Sequence, residues 1–359
     1  RMKSPCFVPR IKCFGLFAVI FQYVQVPNTK GIVMTGVDAF PDIHRIVADS
    51  DLDGMCAAAV LLKAYPGAEV VFGHAAILRA GMLDDVIDSK TVTVDLPFHP
   101  ASGWYLDHHL TNKPDKIEEQ EFTQRGGIVH WEHTPSAARL AYELFKHRFD
   151  LTHLEEIMPM VDALDSGGIT REDFIQDGPV LQLSRTLSST DDVYMQHLLH
   201  LFSTCTGLSD ITNDKVVSER MKSAQDQRID AVKLVQEKTE IVDRLAICRL
   251  DDSGIRSNGY LITAHVGDKA DACCVVHGYS NGDLSTPDRP PLSASFYANS
   301  FIEGGQDRYD LSKLATAFDP HGGGHANACG CRIQPPGLDS NLRDWIQMWN
   351  NRETLLRIN

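Results

Sequence analysis

No pair of cysteines in the sequence is spaced C-x-x-C, and the nine present are an odd number. That pattern excludes a zinc ribbon and argues against a disulfide framework, so reduced thiols in a cytoplasmic compartment are expected. The neighbours Cys273 and Cys274 fall in an apolar run and are expected in the core. Positive charge is also scarce: 34 Lys and Arg face 48 Asp and Glu, giving a net charge of -14. A long cationic groove for a nucleic-acid backbone is therefore not expected, although a short anionic substrate held through cations is compatible. No apolar run reaches the ~20 residues of a membrane span, so no membrane partner is expected. Residues 14–26 come nearest, but they are too few, and no clear small-residue cleavage site follows them. Residues 1–33, ahead of a second methionine at Met34, are expected to be an extension dispensable for activity. Internal repeats and low-complexity stretches are absent as well.

What is present suits two domains, since 359 residues with 43% hydrophobic content supply about that much core. Strand-like runs at 44–48, 68–74, 90–95 and 103–106 alternate with helical patterns at 55–65, 78–87, 136–149 and 154–164. Such alternation predicts an α/β fold with a mostly parallel sheet and helices on both faces. Residues 210–243 contain neither Gly nor Pro and are strongly charged, which predicts a long, solvent-facing helix. β-type segments follow at 245–250, 260–265, 272–278 and 292–296. The expected layout is a first domain over 34–212, a linker helix over 213–243, a smaller α/β domain over 244–336 and a terminal helix or tail over 337–359.

The run Asp49-Ser50-Asp51-Leu52-Asp53-Gly54 sets three carboxylates at alternate positions between a predicted strand and a predicted helix. Alternating acids suit a hard cation, which takes oxygen ligands. A calcium-binding EF-hand opens the same way but needs a glutamate at its twelfth position, where Val60 stands, and a preceding helix. By itself the run fits a metal site and an acidic helix cap equally well. Asp95 ends a second strand-like run, and Asp107-His108-His109 ends a third. A parallel sheet gathers the ends of its strands at one edge, so all three acidic points are expected to meet there.

These features, in this order, resemble the DHH phosphoesterase superfamily, and the resemblance runs from residue 43 to about 333. Its last marker is His321-Gly322-Gly323-Gly324-His325, similar to the glycine signature of the family's associated C-terminal domain. The resemblance implies catalytic roles for Asp51, Asp53, Asp95, His108 and His109. Asp51 and Asp53 would each hold a metal, with Asp49 a ligand or a neighbour behind them. Asp95 would bridge two ions, His108 would be a direct ligand, and His109 would contact the phosphate. The family's fourth motif supplies one more Asp, for which Asp165 is favoured while Asp162 stays open. Two departures are visible: Val47 occupies a position where many members have histidine, and residues 293–300 lack an arginine found in many others.

The glycine run is expected to form an anion-binding nest of backbone N–H groups, with Gly322, Gly323, Gly324, His325, Asn327 and His109 contacting substrate. It is not a Walker loop, because no Gly-Lys-Ser/Thr follows. A carboxylate site with one histidine suits two divalent cations, Mn²⁺ ahead of Mg²⁺. The implied activity is two-metal hydrolysis of short oligonucleotides or dinucleotides to nucleoside 5′-monophosphates, closest to the oligoribonuclease group. Polyphosphate or pyrophosphate hydrolysis and a catalytically inactive nucleotide-binding module are the alternatives. Phe296 and Tyr297 are the aromatic candidates for stacking on a base. Long nucleic acids are not expected as partners, and a homodimer is compatible with the sequence.

Overall fold

The computed structural model describes residues 41–283, 286, 289–320 and 322–357. The expected extension over 1–33, the expected domain start at 34 and His321 lie outside the described residues.

The first domain begins β1 (Arg45–Asp49), α1 (Leu52–Ala64), β2 (Glu69–Gly73), α2 (Ala75–Arg79), β3 (Thr91–Val94) and β4 (Trp104–Asp107). It continues α3 (Lys116–Gln124), β5 (Ile128–Trp131), α4 (Ala137–Phe145), α5 (Thr152–Glu155) and α6 (Met158–Asp165). Helices α7 (Arg171–Gln176), α8 (Pro179–Ser184), α9 (Asp192–Thr204) and α10 (Leu208–Asn213) complete it. All five strands are parallel, in the order β2-β1-β3-β4-β5. Every residue of β3 and β4 is buried, as expected when helices cover both faces of a parallel sheet. Helix α1 is buried on all sides from Leu52 to Leu61, because it lies under α4 and α9 as well as on the sheet. On the side of the sheet reached by Val47, Leu78, Leu83, Ile87 and Leu96 form a separate cluster.

The chain leaves β1 toward β2 on one side and returns to β3 on the other. The strand order therefore reverses between β1 and β3, and a crevice opens at their carboxyl ends. Asp49 ends β1, and Asp95 directly follows β3. The switch point of the sheet and the acidic positions coincide.

Helix α11 (Lys215–Lys238) leads into the second domain. That domain comprises β6 (Thr239–Val242), β7 (Leu245–Arg249), α12 (Gly259–Val266), β8 (Ala272–His277) and β9 (Ser293–Ala298). It ends with α13 (Gly305–Arg308), α14 (Ser312–Thr316), β10 (Gly323–His325), β11 (Ala328–Arg332) and α15 (Leu338–Asn350). Its sheet is mixed, in the order β10-β11-β9-β8-β7-β6, with only β7 and β8 parallel. Cys273 and Cys274 alternate across β8, one packing toward α12 and the other into the cluster containing Trp345 and Trp349.

Three expectations are corrected. Residues 260–265 form a helix, not a strand, because a parallel β7–β8 pair needs a crossover between its strands. The helix expected over 78–87 is short and early, for Gly81 at φ 73 breaks the chain after α2. The long helix starts later and ends sooner than 210–243. Asp214 caps α11 through Val216 and Val217 N–H, and β-branched Thr239, Ile241 and Val242 pair with β7. The segment expected as a terminal helix or tail forms α15 and carries two core tryptophans, whose indole N–H groups donate to Leu314 and Asp243 carbonyls at 3.0 and 2.8 Å. Strand β5 had no counterpart among the expected elements.

Candidate metal centre

The tight join of β1 to α1 begins the site. A Cβ on Gly54 would stand 2.2 Å from the Asp49 carbonyl oxygen, so only glycine lets the helix start this close to the strand. Asp51 caps α1 by accepting from Gly54 N–H at 2.9 Å. Asp53, in the first turn, is buried and accepts from Ala137 and Ala138 N–H at 2.7 and 2.6 Å. Those donors open α4, whose positive end suits a carboxylate. Asp49 accepts from Ser50 N–H at 2.6 Å.

Asp95 adopts φ 58, unusual for a residue with a side chain, and turns its carboxylate inward. Its Oδ1 is buried with no hydrogen-bond partner. His108 stands between the acids: its Nε2 lies 3.0 Å from Asp165 Oδ2, 3.6 Å from Asp53 Oδ2 and 3.8 Å from Asp95 Oδ1. None of these approaches has hydrogen-bond geometry, and Nε2 is buried without a partner. The opposite nitrogen, Nδ1, meets the Thr134 carbonyl at 2.9 Å and must carry a proton to donate to it. With Nδ1 committed to Thr134, loss of the other ring proton to a bound cation would leave an Nε2 lone pair among the carboxylates, the arrangement a metal ligand requires.

Asp107 is fully buried and organises the turn. It accepts from Tyr105 Oη and His108 N–H, each at 2.8 Å, and its Oδ1 lies 3.0 Å from His109 Nδ1. His109 remains 40% exposed in its side chain, with its ring fixed by Asp107. Ligand atoms of Asp53, His108 and Asp165 all lie within 4.8 Å of one another, as do those of Asp95, Asp107, His108 and His109. The two groups share His108. Asp49 and Asp51 belong to neither set.

Among the described residues, no Lys or Arg pairs with Asp49, Asp51, Asp53, Asp95 or Asp165, so the crowding raises proton affinities. Burial and the Asp51 charge push Asp49 up to about 7. Burial, with Asp51 and Asp165, pushes Asp53 up to about 8 despite its two helix donors. Burial likewise raises Asp51 and lifts Asp95 well above the carboxylate range. Burial opposes charge on His108, but the adjacent Asp165 and Asp53 carboxylates prevail and carry it to about 9. Divalent cations relieve such crowding, and the two unpartnered buried atoms, Asp95 Oδ1 and His108 Nε2, supply the donor set they need.

Asp162 stands apart from the two groups. It accepts from Ser136 Oγ at 2.7 Å and from Arg139 Nε and Nη2 at 3.0 and 2.6 Å, whereas Asp165 lies with Asp53 and His108. The glycine residues also differ from the expected nest. Gly323 and Gly324 pair with Gly330 and Cys329 as an edge strand, in which successive N–H groups point to opposite edges. Gly322 N–H donates to the Asp319 carbonyl at 2.9 Å. His325 is exposed, and Asn327 lines a cavity of about 170 Å³ with Tyr297, Tyr260 and Asn258. None of these residues hydrogen-bonds the carboxylates. Phe296 is buried edge-on against Trp345, which removes it as a stacking surface.

Sequence reasoning had not singled out Tyr105, Thr134 or the α4 N–H groups. Ser136, at the expected start of α4, was the one available sign that a helix end faced the acids.

No family model and no curated protein matches the chain. Among solved structures it is similar to a pGpG-specific phosphodiesterase, PggH of Vibrio cholerae, with TM-score 0.69 and 20% identity over 86% of this chain and 99% of that one. An exopolyphosphatase-related protein of Bacteroides fragilis aligns over 86% of this chain and 93% of its own, with TM-score 0.43 and 13% identity. RecJ of Thermus thermophilus in complex with Mn²⁺ aligns over 86% of this chain and 52% of its own, with TM-score 0.45 and 12% identity. The last two are too distant to carry an argument. The parallel sheet with its acidic switch point, the second mixed sheet and the likeness to PggH across both give the chain the two-domain fold of the DHH phosphoesterases.

Proposed function

We propose that the chain is a metal-dependent phosphodiesterase that hydrolyses short oligonucleotides or dinucleotides to nucleoside 5′-monophosphates. The observation that carries this reading is the meeting of Asp53, His108 and Asp165 beside the unpartnered Asp95 Oδ1 at the switch point of the sheet. Asp51, Asp53, Asp95, His108 and Asp165 would hold two divalent cations, Mn²⁺ or Mg²⁺, with Asp49 behind them. Bound there, such ions supply neutralising charge for a phosphodiester and lower the pKa of the attacking water.

The remaining steps belong to the chain's own groups. Thr134 holds His108 in its ligand tautomer. Asp107 fixes His109 and is first among the groups raising its pKa, favouring an imidazolium that donates to a phosphate oxygen. Tyr297 and Asn327 border a cavity suited to part of a base, and His325 with Gly322, Gly323 and Gly324 would flank the far phosphate. The net charge of -14 and the likeness to a phosphodiesterase described as pGpG-specific support a short substrate. The unpaired described cysteines support a cytoplasmic setting, and no described helix is long and apolar enough to cross a membrane.

The test is hydrolysis with Mn²⁺ of pGpG, RNA of two, five and twenty-four nucleotides, cyclic di-AMP, 3′,5′-bisphosphoadenosine and polyphosphate. Fastest release of monophosphates from the shortest linear RNAs is expected. Preference for polyphosphate would keep the metal site and remove the nucleotide assignment, and binding without turnover would leave a regulatory module.

A further inference from the structure

Although the molecule is acidic, three arginines line one cavity of about 660 Å³. Its walls are Phe174 of α7, Arg185 just after α8, and α11 on one side, and residues between 255 and 261 of the second domain on the other. Arg185 offers an Nη1 that is buried without a hydrogen-bond partner, while its Nη2 holds Asp177. Arg228 lies 4.6 Å over the Phe174 ring and 3.5 Å from the same Asp177, so one carboxylate serves two guanidinium groups. Arg256, on the opposite wall, is exposed and makes no hydrogen bond or ion pair among the described residues. Asp230 is the one acid among the described lining residues. Three cationic groups against Asp230 and the shared Asp177 leave the cavity positive.

A cavity of this volume suits a small ligand rather than a macromolecule. Guanidinium groups converging across it suit phosphate oxygens, and a buried Nη1 without an acceptor is costly until a ligand supplies one. Phe174, Ile255 and Leu261 give the rest of the wall an apolar surface for a base. None of these residues belongs to the carboxylate cluster.

We propose that this cavity binds a phosphate monoester of mononucleotide size, gripped by Arg185, Arg228 and Arg256 across the two domains. The site stands independently of the chemistry at the carboxylate centre. Bound there, such a ligand touches both domains and favours whichever separation fits it.

Calorimetric titration of the full chain with GMP, guanosine and inorganic phosphate, with and without Mn²⁺, tests the proposal. One GMP per chain is expected to bind without Mn²⁺ and more weakly at high salt, with guanosine and phosphate each at least tenfold weaker. Arg256→Glu, on an exposed loop, should weaken GMP at least tenfold without moving the melting temperature, whereas Asp95→Asn should leave GMP binding intact. Absence of binding, a requirement for Mn²⁺, or survival of binding in Arg256→Glu would overturn the site. Equal binding of guanosine or of bare phosphate would overturn the mononucleotide assignment.

Discussion

Asp95 combines a strained backbone, a buried carboxylate and an oxygen with no partner, and each costs stability when no cation is bound. Asp95→Asn is therefore expected to lower kcat by at least a thousandfold while the chelator-treated variant melts no lower than wild type. Loss of stability with retained activity would contradict that role. A second residue-scale prediction concerns His277, buried in β8, whose Nδ1 has no partner and whose pKa burial pushes down to about 4. An unfolded histidine titrates near ~6.5, so between that pH and about 4 the unfolded chain takes a proton that the folded chain refuses. This contribution lowers stability as pH falls through that window. His277→Leu should flatten the trend, measured as the difference in urea midpoint between wild type and variant across the window. Asp53 and Asp95, which meet His108, were legible in the sequence because strand ends can be read from local pattern, while Asp165 was reached only through the family resemblance. The difference between Asp162 and Asp165 was not legible, since it rests on Arg139 reaching across from another helix.

Among elements, the join of β1 to α1 has the least freedom. Gly54→Ala would drive a methyl into the Asp49 carbonyl, and a cost of ~1–3 kcal/mol is expected from such overpacking. Thermal unfolding should reveal it, together with weakened metal affinity, because Asp49, Asp51 and Asp53 all lie within this join. At the head of α11, Asp214→Ala removes a cap and should cost ~1 kcal/mol. The same residues explain what sequence pattern could and could not foretell. The alternation of β1, α1, β3 and β4 announced a parallel sheet. The helical α12 escaped notice because its eight residues are almost entirely apolar and carry no helical stripe. Only the parallel pairing of β7 with β8, a non-local fact, requires a crossover there.

For the whole molecule, a cluster of carboxylates with no Lys or Arg partner among the described residues is expected to make stability depend on bound cations. Mn²⁺ at a hundred times its Kd should stabilise the chain by ~2.7 kcal/mol, seen as a rise in melting temperature that chelator reverses and Asp95→Asn abolishes. The domains meet through the rings of Phe174, Tyr260 and Phe301, with centroids 5.7–6.0 Å apart, and through Arg171 Nε donating to the Ala264 carbonyl at 2.7 Å. A further contact, from Gln306 Nε2 to the Gly167 carbonyl, falls two residues after Asp165. The last acid of the centre is thus tethered almost directly to the other domain. A movement that pulled Gln306 away from Gly167 would tug on the chain two residues beyond Asp165, so the interface between the domains and the acidic cluster would shift together.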